Sequence, residues 1–504
     1  MYQELYNTID KFITDESEES KNNANFIRSL PVLELLINSK IFKKYLFDVI
    51  YKDLPVIDIL HNEGFIYHHQ TSKLSPYCIG LSAYELVLKG LSSTATNERI
   101  SGPPKRIDTV LAQAANLICL LSQEVSGATS VNDLSTIVAS YLYYTENILG
   151  KQITDYELVN YWQSFLYNIN LPFRSGNSPF SNITLDFSKS NPSIANKTVA
   201  IANTYLDITY SEIPNIYFDR VNKAFIDAMI RGDNIGNPFT FPLITVNITD
   251  DFDYSNEIWN YFVTNSDKFG GFYLQNYCTT PFNDESRKIN PYQIPYDLGM
   301  LYSNCCRMIF NIKDLMAISG SNPFATASGV GGIGVININL NRILWLCQGD
   351  TNSLFEILGE LLDLSAAALE LKRNWLRKYW TCLYPHLSYY LKDDSNMFSI
   401  LSVIGMHEGL VSFGFKEGLY SEEGKKLAHE ISKFIREKVD GYISKYKSVF
   451  NLEYAPAENA AVDLAEKDLI FSNKISQGDL SILEKIRTTK GGEKLGELLI
   501  KQLE

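Results

Sequence analysis

Apolar residues recur at three- and four-residue spacing from Phe26 to Leu60, which predicts helices over residues 1–60 with a polar break at Asp15–Lys21. His61–His69 reads as a turn into a short strand, and Tyr77-Cys78-Ile79-Gly80 as the opening of a helix that runs to Lys89-Gly90. Helical spacing returns over Pro103–Ser122 and again over 153–169, where Thr154 is placed to cap the first turn. Strands are then expected at Ile183–Phe187, Phe239–Thr249 and Gly271–Gln275, with helices such as Val221–Arg231 between them. Ile333–Ile338 is apolar enough to be buried on both faces, as strands of a parallel sheet are. A long helix follows over Ser353–Tyr379 and a charged amphipathic one over 422–446. Asn451–Leu464 reads as a loop turning into helix, and the last forty residues as helices broken at Gly491-Gly492. Strand and helix alternate at barrel-like intervals, which predicts an α/β fold.

Composition narrows this only a little. A chain of 504 residues fits two to four domains, or one large α/β barrel with elaborations. Hydrophobic residues at 45% and charged residues at 20% are those of a soluble globular protein, and 12% aromatics favour a well-filled interior. The net charge of −13, with no long basic block, argues against a sequence-independent grip on nucleic acid. It leaves room for a nucleotide, which needs only a local cluster of donors. No apolar run reaches the length that spans a bilayer, and the first six residues lack the order of a secretory signal. The seven cysteines are odd in number and scattered, which suits a reducing, cytoplasmic compartment.

Candidate chemistry centres on Ser303-Asn304-Cys305-Cys306-Arg307, followed by the glycine-dense run Ser328–Val335. Adjacent cysteines rarely bridge to each other, and no second pair stands at zinc spacing, so these thiols are either core filler or chemistry. His61, His68 and His69 invite a metal, but strand alternation separates them and no acidic partner is suitably spaced; no metal site is expected.

Several separated stretches line up in one order with a known family. They include Asn22–Asn25, Tyr77–Gly80, Gln123–Ala128, Pro179–Thr184, Gly232-Asp233 before Phe239–Pro242, and Asn304–Arg307. The series continues through Gly334–Leu340, Leu371-Lys372-Arg373, Leu383-Tyr384-Pro385, Ile404–Glu408, Asn451–Glu453 and Pro456–Glu458. The chain resembles the anaerobic, class III ribonucleoside-triphosphate reductases, the glycyl-radical enzymes that make deoxynucleotides without oxygen. The resemblance covers roughly residues 20 to 500 and implies a ten-stranded α/β barrel. On that scheme 1–60 is an N-terminal helical segment, 61–470 the barrel and 471–504 a helical tail.

The resemblance also implies roles. Cys306 falls where the family places the cysteine that becomes a thiyl radical and takes a hydrogen from the ribose. Cys78 matches the second cysteine, which helps reduce the 2′ carbon, and Glu408 a carboxylate near the ribose hydroxyls that serves as general base. Ser181, Asn182, Glu453 and Glu458 fall in motifs expected to bind substrate. Cys119, Cys278, Cys347 and Cys382 match nothing catalytic and are expected in the core, with Cys305 as packing.

Departures from the family pattern set two readings against each other. The family's four-cysteine zinc site and its glycyl-radical loop, Arg-Val-x-Gly-Tyr, have no match in these 504 residues; Lys438–Tyr442 looks similar but falls within a charged helix. The regulatory N-terminal ATP cone of many members is absent too. Ala455, Asn459, Ala460 and Ala461 replace the Thr, Gly, Thr and Ser that would meet a triphosphate, and Gly332 stands where formate-dependent members carry asparagine. The first reading is the barrel subunit of a split reductase that acts on nucleoside triphosphates and forms a homodimer. It holds no cofactor itself; a separate zinc and glycyl-radical polypeptide, activated by an S-adenosylmethionine iron–sulfur enzyme, supplies the radical. The second is a catalytically silent descendant kept for binding, regulation or assembly. Neither involves a membrane or nucleic acid.

Overall fold

A computed structural model describes residues 2–14, 29–95, 100–173, 176–191, 194–249, 251–276, 301–303, 309–311, 329–454 and 457–503. The fold is mixed α/β, with mostly parallel strand pairing and many helices. The strands that position the sites are, in chain order, β1 (Ile66–His68), β2 (Ile79–Ser82), β3 (Thr129–Asn132), β4 (Ser181–Asp186), β5 (Leu243–Ile248), β6 (Phe272–Asn276), β7 (Gly329–Asn339), β8 (Met397–Ile404) and β9 (Phe450–Glu453). The chain forms two compact units: Met1–Ile37 with Cys78–Gly331 and Tyr379–Asn396, and Asn38–Tyr77 with Gly332–Lys378 and Met397–Glu504.

In the first unit β2, β3, β4, β5 and β6 pair in that order, all parallel, and Gly329–Gly331 of β7 runs antiparallel to β2. Glycine suits position 329, where a Cβ would crowd Leu81 Cδ2 and lie 3.1 Å from the Gly80 carbonyl oxygen. Register puts Ile79, Leu81, Val131, Ile183, Leu185, Ile244 and Val246 on one face, each at most 1% exposed. Helices Ile107–Glu124, Leu134–Tyr143, Asp155–Asn170 and Asn215–Arg231 belong to the same unit and pack with one another and with β3 and β4. Asp155–Asn170 starts at the expected cap: Glu157 N–H donates to Thr154 Oγ1 (3.2 Å) and Thr154 N–H donates back to Glu157 Oε2 (2.8 Å).

In the second unit β8 and β9 are parallel, and β1 runs antiparallel to the Ile336–Ile338 end of β7. Helix Thr351–Lys378 contributes Arg373, 1% exposed, whose Nη2 donates to Met397 O (2.6 Å), Ser399 Oγ (2.9 Å) and Val449 O (3.2 Å). Its Nε donates to Glu370 Oε1 (3.0 Å), so one guanidinium ties the starts of β8 and β9 to the helix.

The expected helices at 153–169, 353–379 and 422–446 appear at Asp155–Asn170, Thr351–Lys378 and Glu422–Tyr446. Two expectations fail. Residues 79–82 form strand β2, and the helix to Lys89 begins only at Ala83, because Ile79–Ser82 supplies backbone partners for β3 and Ser82 Oγ then caps the helix by accepting from Tyr84 N–H (3.2 Å). Phe450–Glu453 is also a strand, since its four residues complete a parallel ladder with β8. Too few residues stand in either strand for periodicity to register.

Candidate functional site

Along the sheet of the first unit, the face opposite the apolar one is polar at nearly every position. Ser130 and Asn132 on β3, Asn182, Thr184 and Asp186 on β4, Thr245 and Asn247 on β5 and Gln275 on β6 share it by register, and all are at most 5% exposed. Cys78, one residue before β2 and 1% exposed, falls on the same side by alternation through Gly80. Some of these groups satisfy one another. Asn182 Nδ2 donates to Thr245 Oγ1 (3.0 Å), and Thr184 Oγ1 to Asn132 Oδ1 (3.0 Å).

At the C-terminal end of β4 the polar face becomes a closed network. Asp186 Oδ2 accepts from Thr136 Oγ1 (2.6 Å) and Asn191 Nδ2 (2.8 Å), and its Oδ1 accepts from Asn247 Nδ2 (2.8 Å). Asn191 Nδ2 also donates to Asp133 Oδ1 (3.0 Å), while Asp133 Oδ2 accepts from Ser82 Oγ (2.7 Å). Burial raises the Asp186 carboxyl to about 6, against the three hydrogen bonds that favour its ionised form.

The remainder of the face is left open. Among the described residues, the buried Ser130 Oγ, Asn182 Oδ1, Asn247 Oδ1 and both amide atoms of Gln275 have no hydrogen-bond partner. Buried polar atoms are nearly always paired, so several orphans on one strand face make it the candidate site of this unit.

The thiyl candidate, Cys306, lies outside the described residues, as do Cys305, Arg307 and Cys278. The backbone on both sides of it is described. Leu301–Ser303 and Ile309–Asn311 pair antiparallel, and the Cα atoms of Leu301–Ser303 come within 8 Å of β3. The ribbon that brackets Cys306 therefore runs beside the strand that carries Ser130 and Asn132. Ser181 alternates to the side opposite Asn182, so of the two only Asn182 shares the face of Cys78.

Glu408, Glu453 and Glu458 belong to the second unit. Glu408 is exposed in the first turn of helix Met406–Phe413, which starts at Gly405 with φ 80°. Glu453 ends β9 opposite Ser402 and is 8% exposed. Glu458 is exposed as the first residue of helix Glu458–Ser476, whose cap residue Ala457 offers no side-chain acceptor. Of the cysteines expected in the core, Cys119 and Cys347 are buried, and burial pushes the Cys119 thiol up to about 11 and the Cys347 thiol to about 12. Cys382 is exposed instead, because its four-residue helix Trp380–Leu383 buries only Trp380.

Sequence reading missed Ser130, Asn247, Gln275 and Asp186. Their signal was the polar–apolar alternation in Ser130-Val131-Asn132, Asn182–Asp186 and Thr245–Ile248, which by itself reads as a half-solvated strand. Two stretches quoted separately for the resemblance prove to be one device. Glu124 Oε1 accepts from His386 N–H (2.9 Å) and lies 2.7 Å from His386 Nδ1, and its Oε2 accepts from Leu387 N–H (2.7 Å), so Gln123–Ala128 holds the helix start at Pro385.

Comparison with known proteins agrees with this architecture. Residues 22–479 match the family described as anaerobic ribonucleoside-triphosphate reductase, and the chain belongs to that family. The anaerobic ribonucleoside-triphosphate reductase of Salmonella typhimurium is 23% identical over 443 residues, covering 79% of this chain and 56% of the relative. The chain thus spans a little over half the length of that protein. The anaerobic ribonucleotide reductase of Thermotoga maritima in complex with dATP and CTP superposes with a TM-score of 0.67 at 20% identity, covering 93% of this chain and 76% of the other. The same enzyme with citrate in the active site gives 0.69 at 19% identity, covering 92% and 80%. With dATP bound in the specificity site it gives 0.68 at 18%, covering 99% and 87%. These likenesses establish the fold.

Proposed function

We propose that this member of the anaerobic reductase family is the substrate-holding chain of a ribonucleotide reductase whose radical is supplied by a separate glycyl-radical polypeptide. The observation that carries the reading is the buried polar face of β3–β6, with orphaned amide and hydroxyl atoms on the side of Cys78 and Leu301–Ser303 beside β3. A ribose presents hydroxyl groups that both donate and accept. Ser130 Oγ, Asn182 Oδ1, Asn247 Oδ1 and Gln275 would pair with such groups, and burial would keep water from a radical. In this reading Cys306 removes the ribose hydrogen, Cys78 takes part in reducing the 2′ carbon and Glu408 accepts a hydroxyl proton.

The test is binding first and chemistry second. Millimolar nucleoside triphosphate should raise the melting temperature of the chain by mass action, and Asn182→Leu should abolish the rise. With a glycyl-radical partner present, Cys306→Ser should stop deoxynucleotide formation without changing the thermal shift. Absence of any shift in the unmodified chain sinks the proposal.

One observation favours a silent descendant instead. Helix Glu458–Ser476 begins with a carboxylate, is capped by alanine and carries Ala460 and Ala461 in its first turn, so the positive end of its dipole meets an acid and no hydroxyl donors. If Cys306→Ser has no phenotype in a cell where deletion of the gene does, this second reading replaces the first.

A further inference from the structure

The second unit holds a cavity of about 300 Å3 that takes no part in the proposed reduction. Two ammonium groups line it: Lys43 near the end of helix Leu30–Tyr45 and Lys467 in the third turn of helix Glu458–Ser476. Strand β1 and the residues after it contribute Tyr67, His68, Gln70, Thr71 and Ser72. Thr71 is only 9% exposed, and its hydroxyl, like those of Ser72 and Tyr67 and the Gln70 amide, makes no hydrogen bond to another described residue. The cavity is therefore lined by uncommitted donors.

The ionised groups of the cavity wall are two lysines and one carboxylate. His68 Nδ1 lies 2.9 Å from the His69 carbonyl oxygen, which can only accept, so the proton sits on Nδ1 and Nε2 accepts from Tyr51 Oη (2.7 Å). His61 Nδ1 accepts from the His68 N–H (3.2 Å), which leaves its proton on Nε2. Burial holds His61 down to about 2 and His68 to about 3, so both rings are neutral. Asp463 also lines the cavity but is engaged by Lys467 at 2.7 Å. Asp58, whose charge also acts on Lys43, accepts from Asn62 Nδ2 (2.8 Å). Among the described residues, Lys43 Nζ hydrogen-bonds only Asn62 Oδ1, at 3.4 Å. Burial first, and then the neighbouring Lys467, holds the Lys43 amine below its ordinary range. Two lysines therefore line one polar cavity with a single carboxylate, and Asp58 acts on Lys43 from outside the lining.

We propose that this cavity binds a phosphoryl dianion, as free phosphate or as a phosphate monoester, between Lys43 and Lys467. Three acceptor oxygens match the set of two ammonium groups, two aliphatic hydroxyls, a phenol and an amide better than a carboxylate's two would. The volume leaves space for a small organic group on the ester oxygen.

The probes are sodium phosphate and glycerol 3-phosphate, titrated separately into the full chain at low ionic strength, with melting temperature and calorimetry as readouts. Each should give a saturable rise, and Lys43→Gln and Lys467→Gln should each weaken binding at least tenfold. Tighter binding of glycerol 3-phosphate assigns an ester as the ligand; equal binding assigns free phosphate. Lys43→Gln gives up only the long contact to Asn62, so it tests the site even if Lys467→Gln, which also loses a bond to His61 O (3.1 Å), folds poorly. The proposal is overturned if sodium chloride at matched ionic strength gives the same rise, or if Lys43→Gln binds as well as the unmodified chain.

Discussion

Both units hold satisfied and unpartnered buried polar groups, but in different arrangements. In the first, Ser130, Asn182, Asn247 and Gln275 keep polar atoms with no partner among the described residues, together on one face of a sheet. In the second, the guanidinium of Arg373 is spent on Glu370, Ser399 and two carbonyls, and that of Arg342 on Asp468 and the Glu63 carbonyl between the rings of Phe65 and Phe471. Satisfied buried charge holds strands and helices in place. Unsatisfied buried polarity weakens a fold and persists where a ligand completes it.

Lys372 joins Ser75 and Ser365 of the second unit in keeping a buried polar atom without a partner among the described residues. It is 2% exposed, its Nζ has no hydrogen-bond partner among the described residues, and it lies against Gly334, where a Cβ would sit 3.3 Å from the amine. Burial lowers its pKa to about 8.

The sharpest way to break the contrast is Arg373→Met. It strands the Glu370 carboxylate and the Met397 and Val449 carbonyls, and should cost about 3–5 kcal/mol in urea unfolding. A loss below about 1 kcal/mol would mean that these bonds do not hold the unit together.

Lys372→Met should act in the other direction. Unfolded lysine binds its proton up to about 10.5, so between pH 8 and 10.5 the unfolded state holds more protons and stability rises with pH. The lysine therefore penalises the fold below pH 8, and the methionine variant should gain about 3 kcal/mol at pH 7, a gain that fades by pH 10.5. A pH-independent difference would show that the amine finds a partner.

Asp186→Asn sharpens the comparison inside the first unit. With its carboxyl raised from 3.8 to about 6, folded protein holds more protons than unfolded between those values, and stability falls as pH rises through them. The asparagine variant should gain on the unmodified chain by about 2–3 kcal/mol between pH 4 and pH 7, measured as the change in the stability difference. A flat difference would place the network in contact with water. The smallest stability effect is expected for Ser130→Ala, within about 1 kcal/mol, because the hydroxyl has no partner among the described residues; nucleoside triphosphate binding should weaken while the urea midpoint stays put.

Long helices were legible in the chain because many residues share one periodic pattern and a local cap fixes the start, as Thr154 and Glu157 do. The order of motifs was legible too, and with it the family. By themselves, then, the residues determined the long helices, the α/β alternation and the family. Short strands such as β2 and β9 were not legible, since a strand of four residues is defined by the neighbour that pairs with it. Nor was the polar sheet face. Ser130, Asn182, Asn247 and Gln275 come from four strands spread over some 145 residues, and only parallel register aligns them. Tertiary structure likewise decided that Glu124 serves the helix start at Pro385 and that Lys43 and Lys467 line one cavity. Each of these depends on distances between residues far apart in the chain, which no local pattern encodes.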